Sequence, residues 1–98
     1  MSDEDAILAA NAAYYRAFSA GDFAAMSRIW AEDGVSCVHP GWPPLIGRND
    51  VIESYRNILT GPNRARIVHR EDTAIVAGQE ARVLCIEIIE DKIGRAHV

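Results

Sequence analysis

The sequence predicts one α+β domain, in which three helices are followed by an antiparallel sheet. Up to Thr60, apolar residues recur at helical spacing, and Gly61-Pro62 then ends the helical part of the chain. After Arg66 the pattern changes to alternating, β-branched runs that are typical of strands. Because the chain has only 98 residues, it has room for one small core, and no second domain is expected.

The first helix is predicted over residues 3–20, with Ser2 and Asp5 at its beginning and Gly21 at its end. Acidic residues in its first turn suit the positive end of the helix dipole. A buried tyrosine hydroxyl or asparagine amide needs a polar partner, and an internal cavity is one place to find it. The residues predicted to form the inward-facing stripe of this helix are Ile7, Leu8, Tyr14, Tyr15 and Phe18, with Asn11 inside it.

Two further helices are predicted from capping residues and helical spacing. The third helix begins at Asn49 or Asp50 and ends near Thr60, with Tyr55 among its inward residues. The second covers residues 22–31, is capped by Asp22, and carries the apolar side chains Phe23, Met26, Ile29 and Trp30.

A proline-rich stretch at residues 35–47 follows the second helix. A short predicted strand, residues 35–38, leads to His39, and Pro40 and Pro43 restrict the backbone of His39 and Trp42. A stiff loop that presents a histidine, which titrates near neutral pH, is typical of a pocket rim. The alternative is a rigid connection that buries Trp42 in the core and leaves His39 as a structural residue.

Strands are predicted over residues 67–77 and 81–89, joined by a hairpin turn at residues 77–80. Simple alternation would place His69 and Glu71 on one face and Arg70 and Asp72 on the other, as part of a solvated, salt-bridged face. The side chains expected to contribute to the core are Phe18, Trp30, Tyr55, Leu84 and Ile86.

Charge and composition exclude several classes of function. The formal net charge is −4 and the arginines are scattered, so nothing indicates nucleic-acid binding. The longest uncharged stretch, residues 35–47, contains three prolines and cannot span a membrane. The acidic start, Ser2-Asp3-Glu4-Asp5, is unlike a secretion signal, so a cytoplasmic location is expected. Cys37 and Cys85 are predicted to be buried free thiols without metal or redox spacing. His39 and His69 have no His-x-His spacing and no nearby third ligand, so no metal is expected. The sequence contains no Gly-rich phosphate loop, and no cofactor is expected.

Several short motifs together resemble a known family. They are Ala20-Gly21-Asp22 between two helices, Trp30-Ala31-Glu32-Asp33-Gly34 before a strand, His39-Pro40, and Gly47-Arg48 at the start of a helix. Over about residues 3–89, this order resembles the SnoaL-like branch of the nuclear transport factor two-like superfamily. The resemblance implies a cone-shaped, strongly curved antiparallel sheet wrapped around the helices, with an apolar pocket and often a homodimer. Members include ketosteroid isomerases, polyketide cyclases, dehydratases and epoxide hydrolases, so the fold does not select a reaction.

The resemblance also implies site residues. In ketosteroid isomerases a carboxylate base precedes the proline after the first strand, and His39 holds that position here. Their tyrosine seven residues before the glycine that ends the first helix matches Tyr14, whereas their second donor, a protonated acid, has no assignable counterpart. His39 is therefore predicted to be the base and Tyr14 the hydrogen-bond donor to an enolate oxygen. The predicted ligand is a small apolar carbonyl compound, contacted by Asn11, Tyr15, Phe18, Trp30, Trp42 and Tyr55.

Two alternatives to an enzyme remain open from the sequence. The same pocket could bind a ligand without chemistry, as in a binding module. The fold could also serve as a dimerisation or partner-docking domain. The two polar groups predicted to converge favour the enzyme, whereas the missing second acid favours the alternatives.

Residues 92–98 are predicted to be a non-native tail on an incomplete domain of residues 1–91. Family members continue with strands that close the cone, whereas this tail lacks apolar alternation and contains the only lysine, Lys92. Its residues can be encoded by the first codons of a common sequencing adapter. On this prediction the last strands are missing, and the edge of residues 81–89 is exposed for pairing or aggregation. For the full-length form, the resemblance implies a homodimer.

Overall fold

The computed structural model describes residues 2–62, 65–90 and 96–97. It confirms the α+β architecture, with helices α1 (Asp3–Ala20), α2 (Phe23–Ile29) and α3 (Arg48–Thr60). The strands form an antiparallel pair, β1 (Ser36–Cys37) with β2 (Leu45–Ile46), and an antiparallel sheet in the order β3 (Arg66–Ala77), β4 (Glu80–Glu90) and β5 (Ala96–His97). The cone shape and strong curvature implied by the resemblance stay predictions.

Most of the predicted non-native tail, residues 92–98, lies outside the described residues. The structure describes only the strand β5 from it, and this strand pairs with β4 at Ile89 and Glu90. Within the described parts of the chain, the rest of that edge of β4 has no strand partner. The division of the chain into residues 1–91 and 92–98 stays a prediction.

Both ends of α1 and the beginning of α2 lie where the capping residues predict. The Ser2 hydroxyl accepts a hydrogen bond from the Asp5 backbone N–H at 3.1 Å, and the Asp5 carboxylate accepts one from the Ser2 N–H at 3.5 Å. Gly21 ends α1 at φ 67°, a left-handed conformation that glycine adopts without steric cost. The Asp22 carboxylate begins α2 by accepting from the Ala25 N–H at 3.0 Å.

Two other helix boundaries differ from the prediction. Helix α2 ends at Ile29, and Trp30 leaves it in an extended conformation. Helix α3 begins at Arg48 after Gly47, so the prediction that Asn49 or Asp50 caps it is wrong. The physical reason is that the Gly47 N–H donates to the Val35 carbonyl at 3.0 Å, beside the β1–β2 pair, and the chain turns into the helix there. Strand β2 was not predicted, because two residues are too few to show alternation.

The core lies among the three helices, and Met26 and Val51 at its centre are both 0% exposed. Two of the predicted contributors, Phe18 and Tyr55, belong to it, and Trp30 packs against its edge. Helices α1 and α3 therefore present their apolar faces to the same core, as their spacing predicts. The other buried members of this cluster are Ala17 and Leu59.

The prediction that Leu84 and Ile86 belong to the core is wrong, since they are 59% and 37% exposed. Alternate residues of β4 point to opposite faces of the sheet, and Cys85 and Glu87 are the ones that face the helices. Because β4 is apolar on both faces, its sequence pattern did not indicate which face lies inward.

Strands β3 and β4 form the predicted hairpin, with Ala77 paired to Glu80 across a two-residue turn. Their register shifts between Arg70 and Thr73, where Glu71 has a φ of 57°. This bulge turns the Asp72 side chain to the side of His69, so the predicted separation of the two is wrong. The Asp72 carboxylate lies 2.6 Å from Nδ1 of the His69 imidazole instead.

The left-handed conformation of Glu71 predicts an unusual response to substitution. A residue with a Cβ atom pays about 1–2 kcal/mol for this conformation, whereas glycine does not. We therefore expect Glu71→Gly to have a free energy of unfolding about 0.5–1 kcal/mol higher than that of Glu71→Ala, measured by urea denaturation. A more stable alanine variant would show that residue 71 is not held in the left-handed region.

Candidate active-site cavity

A cavity of about 890 Å³ lies between α1, α3, the loop after β1 and the inner face of the β3–β4 hairpin. Its walls are mainly apolar and aromatic, as is typical of small-molecule sites. The structure brings all eight of the predicted site residues to this one cavity, and they are Asn11, Tyr14, Tyr15, Phe18, Trp30, His39, Trp42 and Tyr55.

His39 is 9% exposed and is held by a hydrogen bond to α3. Its Nε2 lies 2.9 Å from the Ser54 hydroxyl, and that hydroxyl donates to the Val51 carbonyl at 2.6 Å. Because the only hydroxyl proton of Ser54 is used there, its oxygen accepts from Nε2–H of His39. Nδ1 of His39 is then the unprotonated nitrogen and the basic atom of the ring.

Burial lowers the pKa of His39 below its ordinary value of 6.5. The imidazole is therefore neutral at pH 7, which is the form that can accept a proton. Its ring is packed edge to face against Trp42 and Tyr55, with ring centroids 5.0 Å away in both cases. Trp42 is 41% exposed, so it forms part of the cavity wall and the alternative of a core tryptophan is wrong.

Tyr14 from α1 and Tyr55 from α3 meet in the cavity, with 2.8 Å between their hydroxyl oxygens. One of the two hydroxyls donates to the other, so the pair retains one O–H that can donate elsewhere. Burial raises the pKa of both tyrosines, and both therefore remain protonated donors well above neutral pH. Cys37 lies beside them, with its sulfur 3.7 Å from the Tyr55 hydroxyl.

Tyr55 links the two residues that the resemblance singles out. Its ring contacts the His39 imidazole, and its hydroxyl contacts the Tyr14 hydroxyl. From the sequence, Tyr55 was predicted to be a core and ligand-binding residue without a catalytic role, and Ser54 and Cys37 were not predicted to belong to the site. No local signal could have found Ser54, because its relation to His39 depends on how α3 packs against the loop after β1.

A second polar group lies on the other side of Tyr14. The Tyr15 hydroxyl donates to the Glu87 carboxylate at 2.6 Å and lies 3.4 Å from the Cys85 sulfur. Glu87 was missed, although an acid between two isoleucines in a strand is a signal that could have found it. Asn11, predicted to contact the ligand, donates its amide N–H to the Asp72 carboxylate at 3.3 Å.

Arg48 fixes the position of the loop that carries Trp30. Its guanidinium donates to the Ser27 carbonyl at 2.7 Å and to the Trp30 carbonyl, at the end of α2. These carbonyls have no partner within the helix, so they accept hydrogen bonds from the arginine instead. The positive charge of the guanidinium also interacts favourably with the negative end of the helix dipole. One side chain thereby joins the beginning of α3 to the end of α2 behind the cavity.

The described residues contain neither a metal-binding cluster nor a membrane-spanning helix. Within residues 2–62, 65–90 and 96–97, no group of three or more His, Cys, Asp or Glu side chains has the geometry to hold a metal ion. In the same part of the chain, no helix combines the length and the apolar character needed to cross a membrane.

The fold and the site define a class: a small α+β domain with an aromatic-lined cavity between its helices and its sheet. The model of the SnoaL-like domain family matches residues 7–97, so the chain belongs to that family. No curated protein matches the chain significantly.

Three crystal structures illustrate the similarity. A candidate dehydratase of the NTF2-like family from Streptomyces avermitilis is 35% identical, with a TM-score of 0.83 over 97% of this chain and 76% of that chain. A candidate calcium/calmodulin-dependent protein kinase type II association domain from Thiobacillus denitrificans is 30% identical, with a TM-score of 0.73 over 83% of this chain and 65% of that one. A candidate aromatic ring hydroxylase from Novosphingobium aromaticivorans is 21% identical, with a TM-score of 0.68 over 92% and 66%, and shows the fold alone.

Proposed function

We propose that the cavity binds a small apolar carbonyl compound and catalyses proton transfer at the carbon next to the carbonyl, without a cofactor. The observation that carries the proposal is the meeting of a neutral histidine and a protonated tyrosine pair in one cavity. His39 supplies the base, and Tyr14, supported by Tyr55, supplies the hydrogen-bond donor.

The first step is removal of a proton from carbon. Nδ1 of His39 takes the proton, the electron pair of the C–H bond forms a C=C bond, and the carbonyl π pair moves to oxygen. The Ser54 hydroxyl keeps the imidazole oriented by accepting from Nε2–H, and it continues to do so when the ring becomes a cation.

The enolate oxygen formed in this step needs a donor. With Tyr55 donating to Tyr14, the Tyr14 O–H is free to donate to that oxygen. Donors placed in advance in a cavity with little water stabilise such a charge more strongly than water does. The raised pKa of Tyr14, which burial causes, keeps its proton on the hydroxyl before the ligand arrives.

The second step decides the class of reaction. The proton on His39 can return to a different carbon of the enolate, which is an isomerisation. In a dehydration, the enolate re-forms the carbonyl and a new C=C bond while the C–O bond to a hydroxyl on the β-carbon breaks, and the leaving hydroxyl takes the proton from His39 and departs as water. The enolate can also attack a second carbonyl, which is a cyclisation. The candidate dehydratase at 35% identity favours dehydration among these three.

The test is exchange of carbon-bound hydrogen for deuterium. The chain is incubated with 1-tetralone or 2-tetralone in D₂O, and loss of the proton signals next to the carbonyl is followed by NMR. The proposal expects exchange above the buffer rate that saturates with ketone concentration. Saturable binding of both ketones with exchange only at the buffer rate would leave a binding module as the function.

We also propose that the protein forms a homodimer through the outer face of the β3–β4 hairpin. Leu84, Ile86 and Ile75 lie on this face and are 59%, 37% and 43% exposed. Exposed apolar patches of this kind are typical of interaction surfaces. The contact would place the same patch of two copies against each other.

For the dimer we expect Leu84→Glu to convert the protein to a monomer, because a charge at the centre of the patch would lose its water on association. Sedimentation equilibrium measures the mass of the wild type and of the variant. Ile46→Glu is the matched control, since Ile46 is 77% exposed but lies on β2, away from this face. A wild type that sediments as a monomer at high concentration would contradict the proposal.

A further inference from the structure

We propose that Glu87, together with Tyr15, forms a second polar end of the cavity that binds a hydroxyl group of the ligand. The preferred ligands are then neutral ketones that carry a hydroxyl, and carbonyl compounds with a carboxylate are disfavoured. This inference rests on the part of the proposed function in which the cavity binds a carbonyl compound.

The acceptor character of this end follows from its hydrogen bonds. The Tyr15 hydroxyl donates to one carboxylate oxygen of Glu87 at 2.6 Å. A carboxylate has about four lone-pair sites on its two oxygens and no proton to donate, so most of its acceptor capacity remains. Since Glu87 lines the cavity, a ligand hydroxyl can donate to it, whereas a ligand carboxylate would meet a like charge.

Tyr15 is held in place by its neighbours on the sheet. Tyr15 is 8% exposed, and its ring stacks on the His69 imidazole with centroids 4.5 Å apart and planes 15° from parallel. His69 is held by the Asp72 carboxylate, which Asn11 also contacts. Burial raises the pKa of Tyr15, so its hydroxyl keeps the proton that it donates to Glu87. The acceptor end is therefore built on α1, β3 and β4 together.

The two polar ends of the cavity are close neighbours. The rings of Tyr14 and Tyr15 are 5.0 Å apart and nearly perpendicular, at 88°. Their hydroxyls diverge, one to Tyr55 on α3 and the other to Glu87 on β4. Apolar side chains such as Phe18 line the same cavity. A ligand of one or two fused rings can thus place its carbonyl at the first end and a hydroxyl at the second.

Three bicyclic ketones test this inference by binding alone: 6-hydroxy-1-tetralone, 6-methoxy-1-tetralone and 6-carboxy-1-tetralone. Dissociation constants come from NMR titration of the full chain. The wild type is expected to bind the hydroxy compound about threefold to tenfold more tightly than the methoxy compound, because one solvent-accessible hydrogen bond contributes a difference of this size. The carboxy compound is expected to bind most weakly.

Two variants of Glu87 and one control complete the experiment. Glu87→Leu removes the acceptor and is expected to abolish the hydroxyl preference. Glu87→Gln keeps an acceptor oxygen without the charge, so the hydroxyl preference persists while the carboxy compound binds more tightly than to the wild type. Glu80→Leu, on the same strand but outside the cavity lining, is expected to behave as the wild type does. Amide NMR spectra show that each variant is folded.

Equal affinity for the hydroxy and methoxy compounds in the wild type would overturn the inference, as would a hydroxyl preference that survives in Glu87→Leu. Failure of all three ketones to bind at millimolar concentration would overturn it as well. The proposed chemistry fails separately: a hydroxyl preference without deuterium exchange supports the second polar end and removes the catalytic role of His39. Deuterium exchange without a hydroxyl preference supports the catalytic role of His39 and removes the second polar end.

Discussion

Replacing His39 with glutamine is expected to lower the rate of enzyme-dependent deuterium exchange in 2-tetralone about 100-fold or more. Glutamine can still donate to the Ser54 hydroxyl, which now receives Nε2–H of the imidazole, but it has no basic nitrogen. The substitution thus removes the base while it preserves the packing. Affinity for the ketone should change much less than the exchange rate.

Tyr14→Phe is the companion variant, and it is expected to lower the exchange rate about 10²-fold to 10³-fold, the usual effect of losing one donor to an oxyanion. Arg16→Gln, on the same helix but outside the cavity lining, is the control and should exchange at the wild-type rate. Wild-type rates in both His39→Gln and Tyr14→Phe would remove the acid–base account.

The largest effect on stability is expected for Met26→Ala. Met26 is 0% exposed at the centre of the core, and truncation of such a side chain costs about 2–5 kcal/mol through lost burial and the space left behind. The free energy of unfolding of such domains is about 5–15 kcal/mol, so this one substitution removes a large part of the stability. Urea denaturation of the variant should show a much lower midpoint at an unchanged slope.

Ile46→Ala is the matched control for this measurement, because Ile46 is 77% exposed and its truncation should change the free energy of unfolding by about 0.5 kcal/mol or less. Equal losses in the two variants would mean that the core does not lie among the three helices.

The features predicted correctly from the sequence are those that local chemistry determines. Ser2, Gly21 and Asp22 act on backbone groups within a few residues, so the ends of α1 and the start of α2 could be read directly. The hairpin turn at Gly78 is local in the same way. The order of helices before sheet followed from a change of apolar period at the end of α3.

The features that the sequence did not reveal depend on distant contacts. Leu84 and Ile86 were assigned to the core because an apolar strand does not show which of its faces the helices cover. The bulge at Glu71 has no sequence signal, since glycine and asparagine are the usual residues at a positive φ. Gly47 begins α3 because of its hydrogen bond to Val35, which lies twelve residues earlier and outside the range of a capping signal.

The candidate site, like the fold, could be predicted only in part. The resemblance supplied His39 and Tyr14, and helical spacing supplied Tyr15 on the same face of α1. Their polar partners could not be derived, because the Tyr14–Tyr55 and Tyr15–Glu87 contacts join residues 41 and 72 positions apart. What the structure adds is the identity of these partners, and with them the atoms that remain free for a ligand.

The pH dependence of deuterium exchange tests the central claim, that neutral His39 acts as the base beside a protonated Tyr14. Burial lowers the pKa of His39, so its active, neutral form predominates above pH 6.5 and is lost as the pH falls through the lowered pKa. Burial raises the pKa of Tyr14 above 10.0, so the donor is not lost at moderately alkaline pH. The enzyme-dependent rate should therefore rise through an apparent pKa below 6.5 and then stay level to about pH 9. A rate that rises tenfold per pH unit across the whole range, as hydroxide alone would cause, or one that falls as His39 loses its proton, would contradict the account.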